Sequence, residues 1–342
     1  MENMLSLSRR VSAFVKLGNV ISNLSFVEKE DLFRRMVNQN NWFTPQFAEE
    51  ALKGIAYLTR EESLNSWLSS YDFPDQESRK KIGILMAGNI PGVGFHDLMT
   101  VLLSGNDAHV RLSSGDGVLM SWIIQKLQEL ESSFISRIQI QDQLKSKDAY
   151  IATGSDNSSR YFNYYFGKYP SVIRSNRTSL AILDGTETAE DFHNLGKDIF
   201  YYFGLGCRNV SKIFVKSETD LVRLLDGLES FSFVQEHHKY LNNYEYNKSI
   251  YLVNKEHHLD NGFLILKPST ELVSPIGVLF YEVYSDRTEL DQALHHIDHK
   301  IQCILTKSGA GEGEVAFGQA QSPNPWDYAD RVDTLQFLLD LA

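Results

Sequence analysis

Hydrophobic residues near the start of the chain recur with the periodicity of α-helices. Up to about residue 70, apolar side chains recur at the spacing of amphipathic helices, as at Phe47, Ala51, Ile55 and Leu58. Thr44-Pro45, just before that run, is a typical helix start, because threonine caps and proline fits the first helical turn. The pattern predicts a helical N-terminal segment over residues 1–75.

Beyond this segment, short apolar runs alternate with amphipathic helices. The predicted elements are a strand at Ile82–Ala87, a helix at Phe95–Leu103, a strand at Ala108–Leu112, a helix at Gly117–Leu130, strands at Ala149–Thr153 and Leu180–Leu183, and a helix at Asp191–Phe203. Alternation of this kind is typical of a parallel sheet covered by helices. We therefore expect an α/β domain over residues 76–203.

A second α/β domain is expected past Gly204, over residues 204–310. Its predicted strands are Val210–Val215, Ser249–Val253, Phe263–Leu266 and Val278–Val283, and its predicted helices are Thr219–Leu228 and Arg287–His296. The remaining segment, 311–342, begins glycine-rich and ends strongly patterned. We expect it to pack back on the domain formed by residues 76–203.

Composition narrows the class of protein. The chain has 342 residues, of which 42% are hydrophobic and 23% charged, as in ordinary soluble globular proteins. A net charge of −11 without a basic cluster argues against binding to nucleic acid or anionic lipid. No apolar run approaches the ~20 residues that span a bilayer, and the start lacks the apolar core of a signal peptide. These features predict a cytoplasmic protein without an integral membrane segment.

A glycine-rich turn follows the first predicted strand, at Gly88-Asn89-Ile90-Pro91-Gly92-Val93-Gly94. Glycines there permit a tight turn and the close approach of a ligand to backbone N–H groups. The spacing is neither the GxGxxG fingerprint of dinucleotide sites nor a phosphate-binding P-loop. A ligand-binding loop and a plain strand-to-helix turn are therefore equally compatible with it.

The two cysteines, Cys207 and Cys303, have different surroundings. Cys207 lies in Gly204-Leu205-Gly206-Cys207-Arg208-Asn209, where a glycine-rich turn can expose its sulfur. Arg208 and Lys212 add positive charge that would favour a thiolate. The alternative is a buried structural cysteine, which is the commoner fate of a free thiol. Cys303 lies in an apolar run and is predicted to belong to the core.

No metal site is expected. Asp327, Asp330 and Asp333 recur at intervals of three, but metal ligands normally converge from several segments. We predict instead that Asp327 caps the terminal helix and that the other two lie on its solvated face. The histidines include adjacent pairs, which point away from each other on a helix or strand and chelate poorly. These pairs are His237-His238, His257-His258 and His295-His296.

Three motifs in this order resemble the acyl-CoA reductase family of the aldehyde dehydrogenase superfamily, and above all the reductase subunit of the bacterial luminescence fatty-acid reductase. They are GNIPGVGFHDL from Gly88, GLGCRNVSKIFV from Gly204 and DYADRVDTLQFL from Asp327. The resemblance runs from about Asn41 to the C-terminus. It implies an aldehyde-dehydrogenase-like fold, with a Rossmann-type cofactor domain over 76–203 and a catalytic domain over 204–310. It also implies reduction of an acyl thioester by NADPH or NADH.

The resemblance also implies catalytic and cofactor-binding residues. Cys207 corresponds to the catalytic nucleophile, and Asn89 to the asparagine whose amide helps form the oxyanion hole. Gly154 and Ser155 correspond to the pair near the cofactor pyrophosphate. Glu271 corresponds to the glutamate that contacts the nicotinamide ribose. Phe317, with the glycine after it, is similar to a cofactor-side segment near the C-terminus of the family.

Two departures from the superfamily pattern refine this expectation. Hydrolytic aldehyde dehydrogenases carry a glutamate base where this chain has Ile173–Ser179, which contains no acid. The strand that usually ends in KxxE ends here in Arg111-Leu112-Ser113-Ser114, so Ser114 replaces the acid that binds the ribose 2′-hydroxyl. With Arg111 nearby, the resemblance then implies acceptance of NADPH, although Asp116 would reverse this if it faced the cofactor.

Two other functions remain open from the sequence. One is an aldehyde dehydrogenase working oxidatively, which the missing base disfavours. The other is a non-catalytic, cofactor-binding relative, which the presence of both Asn89 and Cys207 disfavours. The sequence leaves open whether the acyl donor is acyl-CoA or an acylated carrier protein. It also leaves open whether the chain forms a homo-oligomer.

Overall fold

Residues 5–74, 79–154, 156–311 and 313–341 are described by the computed structural model, and they fall into two units. Unit 1 comprises the chain up to Asn176 together with the residues from Pro323 onward, and unit 2 is Arg177–Ser322. Ser155, an expected pyrophosphate contact, lies outside the described residues. Within the described ranges, no helix is both long enough and apolar enough to cross a bilayer.

The N-terminal part of unit 1 is helical, as the apolar spacing predicts. Its helices are α1 (Leu7–Ser22), α2 (Phe26–Gln39), α3 (Pro45–Leu58) and α4 (Glu61–Leu68). The predicted start of α3 is confirmed, because Thr44 accepts a hydrogen bond from the Phe47 N–H and Pro45 is the first helical residue. The apolar face of α1 packs inward, with the Phe14 ring 6.1 Å from that of Phe95.

A parallel sheet forms the centre of unit 1, which confirms the predicted α/β class. Its strands are β1 (Lys81–Leu85), β2 (Asp107–Arg111), β3 (Ile138–Ile140), β4 (Ala149–Thr153) and β5 (Ser171–Arg174). The connecting helices are α5 (Phe95–Leu103), α6 (Gly117–Leu130), α7 (Phe134–Arg137) and α8 (Asp156–Phe166). In the described residues the strand order is β3-β2-β1-β4-β5, so the direction of winding reverses at β1.

The C-terminal segment completes the core of unit 1. Arg174, at the end of β5, is buried and donates from one guanidinium nitrogen to both carboxylate oxygens of Asp97, each at 2.8 Å. Its other terminal nitrogen donates to the Thr334 hydroxyl at 2.8 Å. Nearby, Trp67 Nε1 donates to the Tyr328 hydroxyl at 2.8 Å. The patterned C-terminal motif is therefore tied to unit 1 through buried polar contacts.

The prediction that Asp327 caps the terminal helix is wrong. The helix, α13 (Thr334–Leu339), begins well downstream of Asp327, and a capping side chain must directly precede the first helical turn. Asp333 occupies that position and accepts a hydrogen bond from the Gln336 N–H at 2.9 Å. Asp327 accepts instead from the Asn324 N–H at 2.7 Å, which closes a turn.

Unit 2 is built on a second sheet. Its strands are β6 (Thr178–Ile182), β7 (Val210–Val215), β8 (Leu259–Asp260), β9 (Ile265–Pro268), β10 (Val278–Val283), β11 (Ile301–Thr306) and β12 (Glu314–Ala316). Among described residues their order is β12-β11-β6-β7-β10-β9-β8, and only the short β8 runs antiparallel to its neighbour. The helices are α9 (Ala189–Phe200), α10 (Glu218–Gly227), α11 (His238–Asn254) and α12 (Arg287–Ile297).

One predicted strand is wrong. Ser249–Val253 lies in the last turns of α11 rather than in the sheet. Tyr240, Tyr244 and Tyr251 are buried at helical spacing, so the inward face of this segment is aromatic rather than aliphatic. The apolar side chains that suggested a strand, Leu252 and Val253, are exposed at the end of the helix.

Candidate active site

Loops after three strands carry the expected cofactor residues of unit 1 to one edge of its sheet. Asn89 follows β1, Ser113 and Ser114 follow β2, and Gly154 directly follows β4. Because the strands are parallel, their carboxyl ends lie at the same edge. The strand order reverses between β2 and β4, and ligands of open parallel sheets bind beside such a reversal.

The candidate residues at this edge of the sheet differ in their exposure to solvent. Asn89, Arg111 and Ser114 are exposed residues at the carboxyl end of the sheet. The Ser113 hydroxyl accepts a hydrogen bond from the Gly115 N–H at 3.2 Å and so shapes its own turn. Of the two serines, Ser114 is thus the one presented outward.

Glycines allow the turns after β1 and β2 to touch. A Cβ added to Gly88 would lie 2.3 Å from Ser113 Oγ, and one added to Gly115 would lie 2.7 Å from the Gly88 carbonyl oxygen. The Asn40 amide, at the end of α2, donates to the Gly88 carbonyl at 3.4 Å and to the Gly115 carbonyl at 3.2 Å. The loop that carries Asn89 and the loop that carries Ser114 are therefore held together.

The Asp116 carboxyl lies in the contact between the turns after β1 and β2, and not at the exposed edge of the sheet. It is 1% exposed, and its Oδ2 accepts a hydrogen bond from the Gly92 N–H at 2.8 Å. Its Oδ1 is buried without a hydrogen-bond partner among the described residues. Burial raises the pKa of the Asp116 carboxyl to about 8, against the opposing effect of the Gly92 hydrogen bond. Asp116 thus connects the two turns and does not present a carboxylate outward.

Replacing Asp116 with asparagine is expected to remove a pH-dependent loss of stability. The pKa of this carboxyl is raised in the fold from 3.8 to about 8, so the folded chain favours the protonated acid. Its contribution to stability is complete below about pH 4 and is lost as the pH rises towards 8. From about pH 5 to about pH 9, the wild type should lose on the order of 2–4 kcal/mol more unfolding free energy than Asp116→Asn.

Urea denaturation at both pH values measures this difference. Asp142→Asn is the matched control, because Asp142 is an exposed aspartate of the same unit and its replacement should leave the wild-type pH dependence intact. Parallel pH dependence in the wild type and Asp116→Asn would show that Asp116 is not buried as described.

Cys207 lies in a tight turn of unit 2 that exposes its side chain. The Asn209 N–H donates to the Gly206 carbonyl at 3.1 Å, which closes the turn around the cysteine. Just upstream, Tyr202 and Phe203 adopt left-handed backbone angles, with φ of 54° and 56°. Such angles are unfavourable for residues with a Cβ and persist where the surroundings enforce them, often at functional sites.

The charges expected to support a Cys207 thiolate have other partners. Lys212 is buried and pairs with Glu282 at 2.6 Å, so its charge is compensated within the sheet. Arg208 donates from its guanidinium to the sulfur of Cys303 at 3.3 Å. The expected effect of Lys212 on Cys207 therefore stays a prediction. Cys303 itself is buried, as its apolar surroundings predict.

Glu271 and Phe317 are also carried by unit 2. Glu271 is exposed in the loop after β9, which is anchored where the Ser211 hydroxyl donates to the Leu272 carbonyl at 2.8 Å. Phe317 is 5% exposed and follows β12. The buried carboxylate of Asp198 holds the next residues by accepting from the N–H groups of Gly318 and Ala320. Unit 1 thus gathers Asn89, Arg111, Ser113, Ser114 and Gly154, whereas unit 2 carries Cys207, Glu271 and Phe317.

Four polar residues that hold the loops of the candidate residues were missed by sequence reasoning. The buried ones, Asp198, Asn209 and Ser179, lie around the cysteine turn of unit 2, and the half-buried Asn40 lies under the glycine turns of unit 1. Each binds backbone groups rather than presenting an atom to a ligand. The only signal that the sequence offers for such residues is a polar side chain close to a motif. Asn209, two positions after the cysteine, is an example.

Comparisons with known proteins agree with this architecture. Residues 24–225, more than half of the chain, match the family model described as acyl-CoA reductase (LuxC). No curated protein matches the sequence significantly. The matched range includes both Asn89 and Cys207.

Solved structures show the same fold at low sequence identity. An NADP-dependent enzyme of E. coli is 10% identical with a TM-score of 0.64, covering 88% of this chain and 73% of that one. Aldehyde dehydrogenase 21 of Physcomitrella patens, in complex with succinate, is 11% identical with a TM-score of 0.61, covering 98% and 88%. Substrate-bound AldH of Staphylococcus aureus is 15% identical with a TM-score of 0.56, covering 88% and 76%. The chain therefore has an aldehyde-dehydrogenase-like fold.

Proposed function

The chain belongs to the acyl-CoA reductase (LuxC) family of oxidoreductases, and from that premise we propose that it reduces an acyl thioester to an aldehyde through a thioester on Cys207. The observation that carries the proposal is the exposed cysteine in a tight turn, within the part of the chain that matches the family. We assign cofactor binding to the part of residues 76–203 that lies in unit 1, and catalysis to residues 204–310; residues 177–203, which form β6 and α9, belong to unit 2. The proposed donor is acyl-CoA or an acylated carrier protein.

The sheet edge of unit 1 fits a nicotinamide dinucleotide. Its strand order, β3-β2-β1-β4-β5, is that of a Rossmann sheet, with the glycine turn at the reversal. Gly154, directly after β4, packs where a Cβ would lie 2.8 Å from the Phe162 ring, so backbone rather than a side chain borders the edge there. We propose that Gly154 and Ser155 approach the pyrophosphate, and that Arg111, Ser113 and Ser114 contact the adenosine ribose. Glu271 and Phe317 are assigned to the nicotinamide end.

The first half of the proposed reaction transfers the acyl group to the protein. The Cys207 thiolate attacks the carbonyl carbon of the donor thioester, and the donor thiolate leaves. Negative charge collects on the carbonyl oxygen, which we expect the Cys207 N–H to stabilise with a hydrogen bond; the second donor role is assigned to the Asn89 amide from the resemblance to the family. Loss of one such donor typically costs roughly 3–4 kcal/mol of transition-state stabilisation. The acyl group on Cys207 is again a thioester and keeps its electrophilic carbon.

The second half reduces that thioester. NADPH or NADH supplies a hydride to the acyl carbon when bound. The same hydrogen-bond donors stabilise the negative oxygen of the resulting thiohemiacetal. Collapse of this oxygen to a carbonyl breaks the carbon–sulfur bond, which releases the aldehyde and regenerates the Cys207 thiolate. The protein positions the acyl carbon and stabilises charge, but it is not itself oxidised or reduced overall.

NADPH is expected to be the preferred reductant. Ser114 and Arg111 are exposed at the end of β2, so a 2′-phosphate meets a hydroxyl and a guanidinium instead of an acid. Asp116, which would favour NADH if it faced the edge, is 1% exposed and bonded to Gly92. We expect kcat/KM for NADPH to exceed that for NADH, and Arg111→Ala to reduce the preference.

Steady-state kinetics with both cofactors measure this preference. Arg79→Ala is the control, because Arg79 lies in the same unit but pairs with Asp107 and should not affect cofactor choice. A kcat/KM for NADH roughly tenfold or more above that for NADPH, a difference of ~1.4 kcal/mol, would contradict the assignment of Arg111 and Ser114.

The proposed function itself is tested by product analysis. Purified protein is supplied with NADPH and a series of acyl-CoA thioesters of increasing chain length, while cofactor absorbance and aldehyde are followed together. We expect one aldehyde per NADPH oxidised for at least part of the series. If neither any acyl-CoA nor an acylated carrier protein gave aldehyde in proportion to the NADPH oxidised, the proposal would be refuted.

A further inference from the structure

The turn that carries Cys207 is held from beneath by two buried side chains of unit 2. Asn209 is 2% exposed and Ser179 is fully buried. Both bind backbone atoms of the turn, whereas the Cys207 side chain is exposed. The backbone of the proposed nucleophile is therefore held by buried side chains, whereas the residue itself is exposed.

Asn209 connects the two ends of the segment that leads into the turn. Its Oδ1 accepts a hydrogen bond from the Gly206 N–H at 2.8 Å, immediately before the cysteine. Its Nδ2 donates to the carbonyls of Asp198 and Tyr201, both at 2.9 Å. The side-chain amide thus satisfies backbone groups at the end of α9 and at the start of the turn. Few residues other than asparagine offer an acceptor and two donors in so small a volume.

Ser179 anchors the other side of the cysteine. From β6, its hydroxyl donates to the Cys207 carbonyl at 3.1 Å. The same oxygen accepts from the Cys303 N–H of β11 at 3.1 Å. The carbonyl of the nucleophile is thereby fixed to two adjacent strands in the middle of the unit 2 sheet.

We infer that Ser179 and Asn209 are positioning residues for the nucleophile, which is an inference that rests on the proposed function of Cys207. Acyl transfer requires the attacking sulfur and the N–H that binds the oxyanion to hold a fixed geometry, and small displacements cost large factors in rate. Ser179 fixes the carbonyl side of Cys207, and Asn209 fixes the amide side through Gly206. Neither residue touches substrate; both act through the backbone of the turn.

The test compares Ser179→Ala with a control that loses an equivalent buried hydrogen bond elsewhere in unit 2. Tyr284→Phe is that control, because the Tyr284 hydroxyl donates to the Leu183 carbonyl at 3.1 Å, remote in sequence from the turn. The rate of acyl transfer to Cys207 from acyl-CoA, without cofactor, is followed by quenched-flow intact mass. Tm and the KM for NADPH are measured on the same proteins.

Ser179→Ala should slow acyl transfer about tenfold or more relative to Tyr284→Phe, with similar Tm and an unchanged KM for NADPH. Asn209→Asp, which keeps the acceptor for Gly206 but cannot donate to the two carbonyls, should slow it as well. Equal acyl-transfer rates in Ser179→Ala, Tyr284→Phe and the wild type would overturn the inference and leave the proposed function intact. No acyl transfer in the wild type would overturn both.

Discussion

Cys207→Ala is expected to abolish acyl-CoA-dependent oxidation of NADPH, with a loss on the order of 10⁴-fold or more. Without the sulfur there is no group to accept the acyl chain, and an alanine methyl cannot substitute for a thiolate. The sequence contains one other thiol, Cys303, which is 3% exposed within β11 and in contact with the Arg208 guanidinium. That thiol is not presented to a substrate.

Cys303→Ala is the matched control for this experiment. It removes a buried sulfur from the same sheet and should leave activity within about threefold of the wild type, because small buried substitutions act mainly on stability. Cofactor oxidation and aldehyde formation are followed in parallel for both variants. Wild-type turnover in Cys207→Ala would contradict the proposed mechanism.

Aldehyde and NADP⁺ are expected to give acyl-CoA rapidly when CoA is present, but free acid only slowly when it is absent. Water attack on the acyl-Cys207 thioester needs a general base, which typically contributes about 10²–10⁴-fold. The segment that carries a glutamate base in hydrolytic relatives, Ile173–Ser179, contains no acid. The acyl group should therefore remain on Cys207 until CoA, hydride or another thiol reaches it.

The structure accounts for the arginines of that segment. Arg174 is buried and donates to Asp97 and Thr334, so it serves the core of unit 1. Arg177 donates to the Ile301 carbonyl at 3.1 Å. Guanidinium groups also stay protonated and cannot act as bases. Product analysis with and without CoA measures the difference, and rapid multiple-turnover formation of free acid without CoA would favour an oxidative dehydrogenase.

Elements with a long, clear apolar period could be predicted from the sequence. The bounds of α5, α6, β4, β7 and β10 agree with the expected ranges because each carries its own uninterrupted pattern. The run at Ser249–Val253 resembles a strand because short apolar runs are compatible with either structure. The tyrosines at 240, 244 and 251 carry the helical spacing, but only over a longer window.

The candidate site was less predictable, for a physical reason. Resemblance of motifs supplied Cys207 and Asn89, but motifs do not fix the direction of a neighbouring side chain. Asp116 stands beside the predicted ribose contacts in sequence, yet the contact between two glycine turns directs its carboxyl to Gly92. Ser179 binds Cys207 across a separation in sequence that no local pattern can bridge. Tertiary packing therefore decides which polar residues serve the fold and which remain exposed.

Trapping the acyl-enzyme tests the role of Cys207 most directly. The protein is incubated with acyl-CoA in the absence of cofactor, and the adduct is located by intact mass and peptide mapping. We expect one acyl group per chain, attached to Cys207, which NADPH then discharges as aldehyde. An adduct on another residue, no adduct at all, or a Cys207 adduct that NADPH does not discharge would contradict this role.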